Sequence, residues 1–206
     1  MITTAPPLTV AEYITGLRFR FLQPGDPTNR VDWSTDVAGL IDQELENIEL
    51  VCDNVAMKNR LRPLGTIPRM GTLANAAIIN YGVSQLPPGQ CYLNVGTWNG
   101  FSFLAGMVGN PDKRCIGVDN FTLTGRGNPK EAFLNRFNAL KSPRHQFVES
   151  DYAVYLKTQH TAPIGFYFYD GNHEYAHQLQ GLKLAEPFFA DGCIIMVDDT
   201  NCDAPR

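Results

Sequence analysis

Between Ser34 and Leu61 the apolar residues recur three and four apart: Val37, Leu40, Ile41, Leu45, Ile48, Val51, Cys52 and Val55. That period predicts a single amphipathic helix, with Ser34 or Thr35 as its N-cap. The stretch "RPLGTIPRMG" breaks the period, and a second helix is predicted from Thr72 to about Gln85, stopping before "LPPGQ". Upstream, as far as about Asp32, Pro, Gly and Thr dominate without periodicity, which predicts an irregular arm.

From Cys91 onward the pattern changes. Five short apolar runs, "CYLNV", "RCIGV", "HQFVE", "IGFYFY" and "CIIMV", read as strands. Between them lie helical stretches near Ser102–Val108, Lys130–Lys141, Ala153–Lys157 and Ala176–Phe189. Strands alternating with helices predict βαβ units. The expected architecture is therefore α/β, a Rossmann-like, doubly wound, mostly parallel sheet spanning residues 87–206. Residues 1–86 would form an N-terminal arm and helical extension. In such sheets ligands bind beyond the carboxyl ends of the strands, so the residues just after each strand are the ones to read for chemistry.

The bulk properties narrow the class. At 206 residues, 44% hydrophobic and 18% charged, the chain has an ordinary globular composition. A net charge of -4 without a Lys/Arg cluster argues against a nucleic-acid partner. Five cysteines, with no CxxC or metal-ligand spacing, fit buried thiols in a reducing compartment better than a disulfide scaffold; Cys91, Cys115 and Cys193 each sit in or beside an apolar run. "MITTAPPLTVAEYITG" lacks the basic start and long apolar core of a secretory signal, and no run reaches transmembrane length. The expectation is a cytoplasmic protein with no membrane partner.

The strand tips carry the candidate chemistry. The first ends in "VGTWNGFS", where Gly96 and Gly100 permit a tight turn and close approach to a ligand. Trp98 stands where a dinucleotide fingerprint has its middle glycine, which counts against a pyrophosphate there. Asp119 ends the second strand, 23 residues after Gly96, close to the spacing at which an acid takes ribose hydroxyls. A helix cap or a solvated strand end remains open for it. Asp151, after the third strand, reads either as a helix cap or as a partner for an adenine edge. Phe121 reads as packing or as a cover for an adenine face. Asp170 ends the fourth strand, followed by Gly171, Asn172 and His173; Asp198 and Asp199 end the fifth. Neighbouring strands would bring these three carboxylates together. Such a group repels unless some members are protonated or a cation is bound. Hard oxygen donors without Cys favour Mg²⁺, Ca²⁺ or Mn²⁺ over Zn²⁺. Separately solvated carboxylates are the alternative.

The pieces "LNVGTWNG", "IGVDNF", "YDGNHEY" and "EPFFADGCIIMVDD", in that order, resemble the class I S-adenosylmethionine-dependent methyltransferases. Within these, the chain looks most like the metal-dependent O-methyltransferases of the macrocin and mycinamicin sugar type. Asp170, Gly171, His173, Tyr175, Gly192, Asp198 and Asp199 match the family's late signature, and the 28 residues from Asp170 to Asp198 match its ligand spacing. The resemblance implies that Gly96, Thr97 and Gly100 wrap the methionine part of S-adenosylmethionine. Asp119 would hold the ribose and Asp151 the adenine amine. Asp170, Asp198 and Asp199 would bind Mg²⁺ or another hard divalent cation, with Asp170 or His173 as proton acceptor. The implied reaction is O-methylation of a hydroxylated small molecule, a sugar or other natural product. The N-terminal helices would serve as lid and as contacts of a homo-oligomer.

Three departures from the family pattern stand out. Asn94 replaces an acid that normally attracts the cofactor's ammonium group. Asp191 stands where the first glycine of a pair is usual, as a left-handed turn variant. The sequence ends at Arg206, so the family's C-terminal antiparallel strand pair is expected to be absent. Two other readings stay open: a catalytically inactive cofactor-binding or interaction module on this scaffold, and an NAD(P)-dependent oxidoreductase.

Overall fold

The computed structural model describes residues 8–19, 37–50, 54–122 and 129–200. Five strands form the central sheet: β3 (Cys91–Val95), β4 (Arg114–Asp119), β5 (His145–Glu149), β6 (Ile164–Tyr169) and β7 (Phe189–Val197). Their order is β5-β4-β3-β6-β7, and all four pairings are parallel. The chain winds outward in one direction from β3 to β5, then returns to the other side of β3 with β6. The order therefore reverses at β3, and the crevice for a ligand lies there. β3 and β6 are buried at every position, as central parallel strands with both faces covered should be.

Helices cover the two faces. α4 (Leu73–Ser84), α5 (Phe101–Met107) and α6 (Lys130–Leu140) pack on one side, through a core that includes Tyr92, Phe103, Phe133, Phe137 and Phe166. α7 (Tyr152–Thr158) and α8 (Tyr175–Ala185) pack on the other, over Leu93, Ile116, Ile164, Tyr167 and Tyr169. α4 is apolar on all sides, which suits a helix with nine buried residues. Thr72 caps it by accepting the Asn75 N–H, and Glu44 accepts the Leu73 N–H. A 3-10 turn at Glu186–Phe188, with Pro187 inside it, ends the α8 segment. β7 therefore begins at Phe189, four residues before the apolar run that predicts it. β7 lies at the sheet edge and is only partly covered, with Ile195 47% exposed. Gly192, not Asp191, takes the positive φ within it, so the expectation of a left-handed Asp191 is corrected.

Two N-terminal expectations are overturned. The predicted long helix is broken into α2 (Val37–Glu46) and α3 (Asn54–Leu61). Between them a short strand, β2 (Ile48–Glu49), pairs antiparallel with β1 (Arg18–Phe19). The Asn54 side chain accepts the Leu50 N–H, a donor that an unbroken helix would give to Glu46 O. The predicted caps Ser34 and Thr35 lie outside the described residues. The arm, expected to be irregular, contains α1 (Val10–Gly16). Thr9 and Glu12 form a capping box there: the Thr9 hydroxyl accepts the Glu12 N–H, and Glu12 Oε2 accepts the Thr9 N–H. Tyr13 of α1 stacks on Tyr81 of α4 with ring centroids 4.0 Å apart, seating the arm on the core.

The described cysteines are free thiols, Cys91 and Cys115 buried and Cys193 half-buried. Burial pushes the Cys91 thiol up to about 12, so it is unreactive at neutral pH. Among the described residues no helix is long and apolar enough to cross a membrane.

Candidate functional site

A cavity of about 640 Å³ opens at the carboxyl ends of β3, β4, β5 and β6, within the usual size of small-molecule sites. Gly96, Asp119, Asp151, Asp170 and His173 line it. Thr97 and Gly100 do not: Thr97 is buried, and Gly100, with φ 97, caps the start of α5 against Phe133. The turn after β3 passes close to the tip of β6. Gly96 donates its N–H to Val118 O at 2.9 Å, while Asp170 donates to Val95 O at 2.8 Å. A side chain at Gly96 would meet the Asp170 backbone, so the two tips fit only without one.

Asp119 is engaged by its own chain. Its Oδ2 accepts the N–H groups of Thr97 (2.7 Å) and Trp98 (2.8 Å) and the Thr97 hydroxyl (3.2 Å), and its Oδ1 accepts the Phe121 N–H (2.7 Å). Asp151 is the N-cap of α7, with Oδ1 accepting from Ala153 (2.8 Å) and Val154 (3.1 Å). Asn94 is fully buried. Its amide nitrogen donates to Ser102 Oγ at 3.4 Å, and its Oδ1 has no partner.

The cavity wall at the tip of β6, next to the Gly96 turn, is acidic. Asp198 donates its N–H to Tyr169 O at 2.9 Å, and Gln178 Nε2 donates to Asp198 O at 2.9 Å, which holds the β7 tip beside Asp170. His173 Nε2 lies 4.0 Å from Asp170 Oδ1 and 3.9 Å from Asp199 Oδ2. Burial, followed by the charges of Asp198, Asp199 and Asp119, pushes the Asp170 carboxyl up to about 8. The three carboxylates and the imidazole thus gather at one edge. Among the described residues, however, no three such side chains have closed into a metal-holding group.

The cavity also contains residues that motif reading does not single out. Asn120, Tyr152 and Asn172 follow strand tips and could be found by that rule alone. Tyr152 donates to Gln180 Oε1 at 3.0 Å and stands 3.5 Å from Nδ1 of His177, a second imidazole, carried by the first turn of α8. Met70, 74% exposed, lines the cavity from the segment before α4. Nothing in its local sequence marks it. It arrives there because Arg69 pairs with Glu44 of α2, donates to Gly71 O, and lies over the Phe101 ring.

Comparison with known proteins agrees with this geometry. A family profile described as a methyltransferase domain matches residues 93–200, more than half of the chain. No curated protein matches it significantly. Among solved structures, SAH-bound methyltransferase PaMTH1 from Podospora anserina superposes with a TM-score of 0.54 at 17% identity, covering 82% of this chain and 71% of that one. A putative O-methyltransferase from Klebsiella pneumoniae gives 0.52 at 17%, covering 90% and 72%. Cofactor-bound Rv0187 from MTB gives 0.47 at 19% identity, covering 69% of this chain; the chain spans only 62% of that protein's length. At such identities the likenesses to PaMTH1 and to the Klebsiella pneumoniae protein establish the fold, a Rossmann-like methyltransferase sheet, and no more. The profile match over β3 to β7, on that fold, shows that this chain belongs to the methyltransferase-domain family.

Proposed function

We propose that the protein is an S-adenosylmethionine-dependent, Mg²⁺-assisted O-methyltransferase acting on a hydroxylated small molecule. The observation that carries this reading is one cavity lined together by a glycine turn, Asp119, Asp170 and His173, with Asp199 3.9 Å from the His173 imidazole. The residues fit both groups. The unpartnered Asn94 Oδ1, two residues before Gly96, is an acceptor that a cofactor ammonium would satisfy. Asp119 Oδ1 carries one donor and has capacity for a ligand hydroxyl. The oxygens of Asp170, Asp198 and Asp199 are hard donors whose repulsion a divalent cation would relieve.

When bound, S-adenosylmethionine would supply the methyl group, and the cation would supply positive charge near the acceptor hydroxyl. The chain's own residues do the rest. The turn at Gly96 allows backbone to approach the ligand closely. Asp119 and Asp151 flank the end expected to hold the nucleoside. His173 stands where it can take a proton from a hydroxyl held beside Asp170. Holding the two reactants in line is itself a large part of the catalysis. The K. pneumoniae neighbour is described as a putative O-methyltransferase, which supports oxygen as the acceptor. Residues 1–86 would act as lid and as homo-oligomer contacts, a role supported by Met70 at the cavity mouth.

Calorimetry with S-adenosylmethionine and S-adenosylhomocysteine tests this reading. Binding of either is expected. Binding of neither by the folded protein would overturn it. Asp198→Ala should then lose Mn²⁺ binding while S-adenosylhomocysteine binding persists.

A further inference from the structure

Three non-glycine residues among those described have a left-handed backbone: Trp98 (φ 41), Phe121 (φ 52) and Asp199 (φ 52). Bulky aromatic residues rarely adopt it, because Cβ crowds the following carbonyl oxygen. Trp98 and Phe121 are held there by the same group. Asp119 takes the Trp98 N–H on one oxygen and the Phe121 N–H on the other, with the Thr97 N–H and hydroxyl beside the first. Trp98 belongs to the turn after β3, and Phe121 to the turn after β4. One carboxylate therefore clamps two strand tips into a single unit, and both aromatic residues line the cavity. Behind Phe121 stand Phe133 and Phe147, with ring centroids 5.9 Å and 5.8 Å away, so that wall is backed by packed rings. Among the described residues no ring packs on Trp98 in that way, and its placement falls to the clamp. With three donors already on Oδ2, the carboxylate has little capacity left for a ligand on that side.

We propose that Asp119 is a positioning residue that acts mainly through its own chain, holding Trp98 and Phe121 in their left-handed conformations and so setting the shape of the cleft that receives the nucleoside end of the ligand. This rests on the cofactor reading above and deepens it. The carboxylate matters because each of its oxygens must accept. An amide in its place turns an N–H against either the Thr97 and Trp98 donors or the Phe121 donor.

The test uses the full chain carrying Trp33→Phe, which leaves Trp98 as the sole tryptophan. In ligand-free protein, Asp119→Asn is expected to shift Trp98 emission and increase its quenching by acrylamide. S-adenosylhomocysteine binding should weaken about tenfold or more. In a Trp98→Gly background, where the left-handed backbone carries no penalty, the same Asp119→Asn change should weaken binding only about threefold or less. Unchanged Trp98 emission and quenching in ligand-free Asp119→Asn would overturn the proposal. So would an equal loss of binding in both backgrounds, which would make Asp119 a direct ligand contact only. The fluorescence arm needs no ligand, so it still decides if the parent protein fails to bind S-adenosylhomocysteine and the cofactor reading itself falls. If Asp119→Asn does not fold, Trp98→Asn and Trp98→Val carry the test. Asn tolerates the left-handed backbone and Val does not, so the Asn variant should melt higher; equal melting temperatures would overturn the proposal.

Discussion

A methyl group added at position 96 has nowhere to go. Gly96 holds φ at 83, and a Cβ built on it would lie 2.6 Å from the Asp170 carbonyl carbon and 3.1 Å from the Gly171 nitrogen, with the Asp170 oxygen nearer still. Unlike a flexible side-chain tip, these backbone atoms cannot swing aside. For Gly96→Ala the tips of β3 and β6 must part by roughly 1 Å to restore ordinary contact. That motion strains the Asp170-to-Val95 and Gly96-to-Val118 hydrogen bonds at 2.8 and 2.9 Å. Alanine in the left-handed region costs about 1–2 kcal/mol, and each weakened bond about 0.5–1 kcal/mol more, for a total of about 2–4 kcal/mol. Gly89→Ala is the control. Gly89 has φ 91 but nothing within 4 Å of an added Cβ, so only the backbone cost of about 1–2 kcal/mol applies. For a chain of this size 1 kcal/mol moves the melting temperature by about 2–4 °C. Gly96→Ala should therefore melt at least about 2–4 °C below Gly89→Ala. Because Asp170 moves with the β6 tip, Gly96→Ala should also weaken S-adenosylhomocysteine binding about tenfold, and Gly89→Ala should not. Thermal scans and calorimetry on the two variants provide the comparison. Equal melting losses, with ligand affinity intact in both, would refute the reasoning.

Three further outcomes are expected. Asp170 keeps its proton up to about pH 8, so a cation must displace it. Mn²⁺ affinity measured by calorimetry should rise as pH approaches 8; a flat profile counts against the carboxylate group as the cation site. His145 accepts the Ser142 N–H on Nδ1, faces Asn110 O through Nε2, and is held below its ordinary value by burial. Below about pH 6.5 the unfolded chain therefore binds the extra proton more readily, and the denaturant midpoint should fall as pH drops through that window; His160, lowered in the same way, adds to the effect. Asn80, fully buried, donates to Ala105 O (2.6 Å) and Val108 O (2.7 Å) and accepts from Arg60 (3.0 Å). Asn80→Ala should cost about 2–5 kcal/mol in urea unfolding, and a loss under about 1 kcal/mol would show that water replaces those bonds.

The α/β half was legible because its signals are local. Each strand run of "CYLNV", "HQFVE" and "IGFYFY" coincides with β3, β5 and β6 residue for residue. Central parallel strands such as β3 and β6, buried on both faces, must be largely apolar, and punctuating glycines and prolines bound the runs. The N-terminal half was read less well. The spacing from Val37 to Val55 satisfies a helix, but pairing of Ile48 and Glu49 with Phe19 and Arg18 wins over it, and that pairing is long-range. The α1 capping box has a local signal in "TVAE", but the Pro, Gly and Thr around it led to the expectation of an irregular arm. Among site residues, Gly96, Asp119, Asp151, Asp170 and His173 could be named from strand tips, whereas Met70 could not. Its place depends on Glu44 and Arg69, 25 residues apart in sequence.

By itself the sequence determined the alternation of strands and helices, hence a parallel sheet whose carboxyl ends carry the acids. It also determined which residue types stand at those ends. Only the tertiary structure decided what each acid does. Asp119 turned inward to two left-handed aromatic residues, Asp151 capped a helix, and Asp170 was raised by burial and by its neighbours on β7. The reason is physical. A strand's pattern follows from which of its faces are buried, a property each residue carries locally. A carboxylate's role follows from the donors and charges that surround it, and those come from segments the sequence does not place side by side.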